Sequence, residues 1–368
     1  MSTFNYQRLD VARRYRGLGK GELAAGAGIT LRQLNHYQHG EDTPSEATLK
    51  RLSEVLQFPL SFFFGAEIDG PDVAAANFRS LRRMTARDRD RGLATGALGQ
   101  LIFDWLEEKG FELPSEDIPA LELFEPEEAA KFTRAQWGIG ERPIGHMVRL
   151  VESKGVRVAA IPDAARELDT FSFWRGKTPY IFLNLSKSAE RIRFDIAHEL
   201  GHLVMHAGCG RTRESEFEAN LFASAFLMPR GEMLASGLYN PRLSALIDAK
   251  ARWGVSVAAL AYRLHKVGMI SDWHHEVLFR EISIRGYRTD EPQPMRKEVS
   301  QLWERVYEVL RKDEGMSPGD IAAELAIPEA DLRQMTFQLS PVGGAERPAW
   351  LPPEPDKRVA PRIVARRG

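Results

Sequence analysis

The sequence predicts an α+β protein that is mostly helical: an all-α domain, then a domain with a small sheet, then a helical carboxy-terminal region. Three observations predict it. Residues 8–65 read as short amphipathic helices broken by abrupt turns. Residues 156–183 hold three short apolar runs of strand length. From residue 193 onward most apolar residues recur at helical spacing. The expected division is a helical domain over 1–70, a helical linker over 71–127, the domain with the sheet over 128–290, a helical region over 291–340 and a flexible tail over 341–368.

The first helices justify themselves residue by residue. Leu9 to Arg16 is one amphipathic stretch, stopped by Gly17. Lys20 and Glu22-Leu23-Ala24-Ala25 begin a second, although Gly19 and Gly21 weaken it by about 1 kcal/mol each if they lie in a helix interior. Ala27-Gly28-Ile29 makes a tight turn into 30–37, where Thr30 is a natural N-cap. Leu31, Leu34 and Tyr37 have core-facing spacing, while Arg32, Gln33, Asn35 and His36 point outward. Helix, tight turn, helix is the helix-turn-helix arrangement.

The connector to the next domain is punctuated by Pro114, Pro119 and Pro126, after an apolar helix over 98–106. The stretch 77–91 is dense in arginine, but its aspartates favour a solvated helix face as much as a DNA-facing one. Val156 to Ile161, Phe171 to Trp174 and Tyr180 to Leu183 read as strands, with Gly176 to Pro179 turning between the last two. Residues 296–338 hold two further helical stretches, and Ile321 to Pro328 faintly echoes a helix-turn-helix.

Composition bounds the function. The net charge of -1 excludes global attraction to nucleic acid, so DNA binding requires a local patch. Cys209 is the only cysteine, which excludes an internal disulfide framework and fits a reducing cytoplasm; it reads as a small residue in a glycine turn. No run of eighteen apolar residues and no basic-then-apolar leader is present, so neither membrane insertion nor secretion is expected.

The chemistry concentrates at His198-Glu199-Leu200-Gly201-His202. Residues four apart on a helix share a face, with Cβ atoms roughly 6 Å apart, so two imidazoles so placed can converge on one tetrahedral cation. Glu199 lies beside that face, where it can take a proton from water activated by the metal. A surface helix with two unrelated histidines is the plain rival, and Ile192, Phe194, Ile196, Ala197 and Leu200 argue against it by making the helix a buried one. A metal bound for structure alone is the second rival. Gly201 lets another backbone or a substrate come close.

A third ligand should come from a second helix starting near Thr212 or Ser215, after the first runs to about His206. Ser215 and Glu218 have capping-box spacing, which gives Glu218 a structural role. Glu216 and Asn220 share a face, so Glu216 suits the metal while Asn220 orients a ligand from behind. Glu216 is preferred to Glu218, with Glu214 third; Phe217, Leu221 and Phe222 are left for packing. His206 lies too far along to share the ion and reads as a supporting or substrate-side group.

The stretch 193–229, with His198-Glu199-Leu200-Gly201-His202, then Glu216-Phe217-Glu218-Ala219-Asn220-Leu221-Phe222-Ala223 and Leu227-Met228-Pro229, resembles the ImmA/IrrE-type metallopeptidases. The resemblance implies a zincin-like domain with zinc held by His198, His202 and Glu216, and with Glu199 as general base. Manganese or iron also suits two imidazoles and a carboxylate. The amino-terminal segment is similar to XRE-type (lambda-repressor-like) DNA-binding domains, through the helix pair, Gly40 to Ser45 and the Pro59-Leu60-Ser61-Phe62-Phe63 ending. By that resemblance Arg32, Gln33 and His36 face base edges, and Lys20, Thr30 and Asn35 lie near phosphates.

Together these imply a cytoplasmic, DNA-binding zinc endopeptidase that regulates transcription by limited cleavage of a repressor, itself often a helix-turn-helix protein, in a stress or mobile-element response. Double-stranded DNA and a protein substrate are the expected partners, and a homodimer suits two half-sites. The alternative is a transcriptional regulator, in one version part of a toxin–antitoxin pair, whose metal site is a sensor or scaffold.

Overall fold

The computed structural model describes residues 3–71, 76–78, 85–208 and 212–338. Helices α1 (Tyr6–Tyr15), α2 (Lys20–Gly26), α3 (Leu31–Gln38) and α4 (Glu46–Leu56) are followed by strand β1 (Ala76–Phe78) and the long α5 (Ala86–Glu108). Next come α6 (Pro126–Gln136), α7 (Met147–Ser153), β2 (Arg157–Ala160), β3 (Phe171–Arg175), β4 (Thr178–Leu183), α8 (Ala189–Met205) and α9 (Arg213–Leu227). The last described elements are α10 (Arg230–Ala235), α11 (Leu243–Ala249), α12 (Val257–Lys266), α13 (Asp272–Ile284), α14 (Gln301–Val309), α15 (Pro318–Leu325) and α16 (Glu329–Met335). The protein is α+β and mostly helical, as the sequence pattern predicts. No helix among the described residues is long and apolar enough to cross a membrane. Cys209, Gly210, the arginines Arg79, Arg82 and Arg83, and the tail beyond residue 340 lie outside the described residues.

Two compact units form, and neither is contiguous in sequence. One holds the described residues of Met1–Pro114, Arg157–Asp169 and Ser300–Gly368; the other holds those of Ser115–Val156 and Thr170–Val299.

In the first unit, α1 to α4 pack around Leu9, Ala12, Tyr15, Leu23, Leu34, Leu52, Leu56 and Phe62, all fully buried. Three of the four helix starts are held by a side-chain cap: the Asn5 side chain accepts from the backbone of Gln7 and Arg8, Thr30 from Gln33, and Ser45 from Thr48. Gly19 proves to be the N-cap of α2 rather than an interior residue, so its cost there is small. Gly28, at φ +64°, makes the turn from α2 to α3. Leu34 and Tyr37 are buried, but Leu31 is 49% exposed. A three-residue step covers 300° of helix, so each step drifts by about 60° and Leu31 has rotated out of the packed face.

Among the described residues the same unit contains three carboxy-terminal α-helices where two were expected, because Ala326 at φ +55° separates α15 from α16. The faint helix-turn-helix echo at 321–328 is this pair. Its second helix does not present a basic face: Asp331 on α16 takes a two-pronged ion pair from Arg16 at 2.6 and 3.2 Å, with both side chains largely buried.

In the second unit, β3 and β4 form an antiparallel hairpin with Phe171 opposite Phe182 and Phe173 opposite Tyr180. Those pairs stack with ring centroids 4.9 and 5.1 Å apart. Helix α8 packs against both strands and against α9, and its sides are buried almost all round. Gly201 is what lets α9 approach: a Cβ there would lie 3.1 Å from the Phe222 ring and 3.3 Å from Ala219 Cα.

Buried ions pin α8. Arg193 donates to Glu298 and, at 2.7 Å, to the Ile144 carbonyl, while Lys250 meets Glu190 at 2.8 Å. Burial alone would raise the Glu298 carboxyl, but Arg193, His146 and the backbone N–H of Val148 outweigh it and hold the group below its ordinary value. Burial pushes the neighbouring His146 imidazole down. Arg134 on α6 gives its donors to the carbonyls of Gly140, Arg142 and Phe226, and burial brings its pKa down to about 10.

Candidate metal centre and nucleic-acid interface

His198 and His202 occupy one turn of α8 and are fully buried. Their Nε2 atoms lie 3.1 Å apart. Glu216, in the first turn of α9, brings one carboxylate oxygen to 3.5 Å from His198 Nε2 and the other to 3.3 Å from His202 Nε2. One ligand atom from each of the three residues falls within a 4.8 Å span. Donors about 2.0–2.1 Å from a tetrahedral zinc stand about 3.3 Å from each other, so this donor set fits such an ion. The Glu216 side chain is 24% exposed, which leaves the centre approachable from its α9 side.

The residues behind the ligands are placed as firmly. Asn220 Nδ2 donates to the Glu216 carbonyl at 2.7 Å, which fixes the amide so that its Oδ1 faces His198 Nδ1 at 3.1 Å. An amide oxygen only accepts, so His198 carries its proton on Nδ1 and turns a bare Nε2 toward Glu216 and His202. His206 is the C-cap of α8, its Nδ1 3.1 Å from His202 Nδ1 and its Nε2 2.8 Å from Glu218.

The expected capping box corrects here. Thr212 is the N-cap of α9 and Ser215 its reciprocal partner, so Glu218 closes no helix start and is free of that role. Glu218 faces His206, and Glu216 faces the two metal-side nitrogens. Phe217, expected in packing, is 54% exposed, while Phe222 on the opposite side of α9 is fully buried.

Glu199 is fully buried, and one of its oxygens accepts a 2.7 Å hydrogen bond from the Ser172 hydroxyl of β3. Sequence reasoning missed Ser172. It lies between Phe171 and Phe173 in sequence, on the opposite face of the strand, in a run that reads as plain hydrophobic packing, and only the packing of β3 on α8 joins it to Glu199.

On α3 the candidate DNA-facing residues bond to one another. Lys20 Nζ donates to Asn35 Oδ1 at 3.1 Å. Thr30 and Gln33 form a reciprocal capping box, so the Gln33 side-chain oxygen is engaged by the Thr30 backbone at 2.9 Å. His36 lies 3.5 Å from Arg32 and 3.3 Å from Glu41. Lys20, Thr30, Arg32 and Gln33 are exposed; Asn35 and His36 are partly covered.

Comparison with known families matches both modules. Residues 151–265 match the peptidase-family model described as the IrrE N-terminal-like domain, and residues 12–63 match the model described as helix-turn-helix. The chain joins a helix-turn-helix domain to an IrrE-like domain.

Two proteins described as uncharacterized HTH-type transcriptional regulators, from Sinorhizobium medicae (strain WSM419) and Rhizobium meliloti (strain 1021), are each 32% identical to this chain over 57 residues. The match covers 16% of this chain and 41% of each relative, so it speaks for one module. The matched IrrE-like segment contains β3, α8 and α9, and with them His198, Glu199, His202, Glu216 and Ser172. The helix-turn-helix match contains α2 and α3, and with them all six candidate DNA-facing residues.

Proposed function

We propose that this protein is a DNA-binding metallopeptidase. One observation carries the reading: two imidazole nitrogens and a carboxylate from adjacent helices converge at 3.1–3.5 Å, with a buried glutamate next in sequence to one of them. His198, His202 and Glu216 would hold one divalent cation, zinc by the fit of the donor spacing, though manganese or iron accept the same ligands. The cation supplies Lewis acidity toward water and toward the scissile carbonyl.

Glu199 is the general base. It accepts a proton from the attacking water and returns it to the departing amine. Ser172 holds the carboxylate through one of its oxygens. The helix-turn-helix domain would place Arg32, Gln33 and His36 at base edges, with Lys20, Thr30 and Asn35 toward phosphates. A peptidase that carries its own DNA reader suits limited cleavage of a repressor bound at the same promoter, in the cytoplasm and as a pair of chains on two half-sites. We take residues 1–70 and 128–290 as the two working modules.

The test is to incubate the metal-loaded protein with helix-turn-helix repressors from its own genome, beside Glu199→Gln. Cleavage by the wild type, reduced roughly 10²–10⁴-fold in Glu199→Gln, is the expected result. Equal cleavage by both proteins overturns the role of Glu199. A Glu199→Gln protein with unchanged regulatory effect in the cell overturns proteolysis in favour of a metal-dependent scaffold.

A further inference from the structure

Resting on that reading of the metal centre, we propose that Glu218 and His206 form a hydrogen-bonded relay that holds the His202 ring in its ligand orientation. His206 Nε2 lies 2.8 Å from Glu218. The other nitrogen of the same ring, Nδ1, lies 3.1 Å from His202 Nδ1. The three side chains therefore make one line, and the far end of that line, His202 Nε2, stands 3.1 Å from His198 Nε2 and 3.3 Å from Glu216.

The two histidines are thus prepared by different devices. His198 is set by the neutral amide of Asn220, a single step on α9. His202 is held through a second imidazole that ends on a carboxylate, and such outer partners fix the orientation of a ligating ring. The relay spans two helices: His206 ends α8, and Glu218 lies in the second turn of α9. His206 is nearly buried and the Glu218 side chain about one-third exposed, so the chain of bonds begins at the rim and ends inside. Glu218 and His206 touch neither the metal-side nitrogens nor the general base; they are positioning residues.

The experiment is a metal-affinity measurement on the full-length protein, stripped with chelator and titrated with Zn²⁺ against a chromophoric competitor. Co²⁺ serves as a spectroscopic probe of the ligand set. Glu218→Ala and His206→Phe are each expected to weaken Zn²⁺ binding about 10–100-fold and to alter the Co²⁺ absorption. The double variant should be no weaker than His206→Phe, because both changes cut one chain. Glu218→Gln, whose amide oxygen still accepts from His206, should recover part of the loss and carries the test if the alanine variant does not fold. Metal-free melting temperatures check that each variant is folded. Wild-type affinity in both Glu218→Ala and His206→Phe overturns the relay while leaving the metal centre standing. A wild-type protein that binds neither Zn²⁺ nor Co²⁺ overturns the metal reading itself, and the relay with it.

Discussion

The buried turn of α8 and the exposed turn of α3 carry similar residue types, histidines beside polar partners, and the structure treats them in opposite ways. On α8 His198 and His202 are fully buried, and the Nδ1 of each ring meets a fixed polar partner, Asn220 or His206. On α3 the side chains are solvent-facing and bond to their own neighbours, as Lys20 does to Asn35 and Gln33 to Thr30. Burial makes the wrong tautomer costly, because an unmet polar atom inside a protein loses about 1–3 kcal/mol. At the surface water meets every such atom, and the side chains wait for a partner to select their arrangement. Buried side chains have their arrangement fixed in the free protein; exposed ones can still rearrange on binding.

Loosening the buried site without touching its ligands should have the largest effect. Gly201→Ala inserts a methyl against the Phe222 ring and the Ala219 backbone. We expect a loss of about 1–3 kcal/mol in denaturant melts together with weaker metal binding, since α9 must move and Glu216 moves with it. Unchanged stability and affinity would mean that the α8–α9 spacing does not set the donor geometry.

On the exposed face the effects are smaller and separable. Arg32→Ala should weaken binding to a cognate operator roughly tenfold, near the lower end of the about 1–3 kcal/mol that a good base contact provides, and relax preference at one base pair. Lys20→Ala should weaken binding evenly across sequences and reduce the slope of log affinity against log salt by about one. Anisotropy titrations at several salt concentrations distinguish the two. Identical salt slopes for Lys20→Ala and wild type would remove Lys20 from the phosphate contacts, and neither change should alter metal content.

How much of this was legible in sequence follows from the same contrast. Spacing along one helix is local, so the pairing of His198 with His202, and of Glu216 with Asn220, can be read from a period of four. The helix-turn-helix boundaries follow from Thr30, Ser45 and Gly28, whose effects reach only a turn. Ser172 beside Glu199, and Glu218 beside His206, join different elements, and no period announces them. Leu31 and Phe217 mislead for a different reason: an apolar residue near a helix start satisfies a periodic pattern even after the helix has turned it outward. The interleaving of the two compact units is a property of long-range packing and has no local signature.

In the proposed centre, His198, His202 and Glu216 grip one cation while Glu199 serves it without holding it. The most direct measurement is the metal content, by elemental analysis after zinc loading and dialysis, of the wild type, His202→Ala and Glu199→Gln. One zinc per chain is expected in the wild type and in Glu199→Gln, and none in His202→Ala. An empty wild type, or a His202→Ala protein that keeps its zinc, would contradict it.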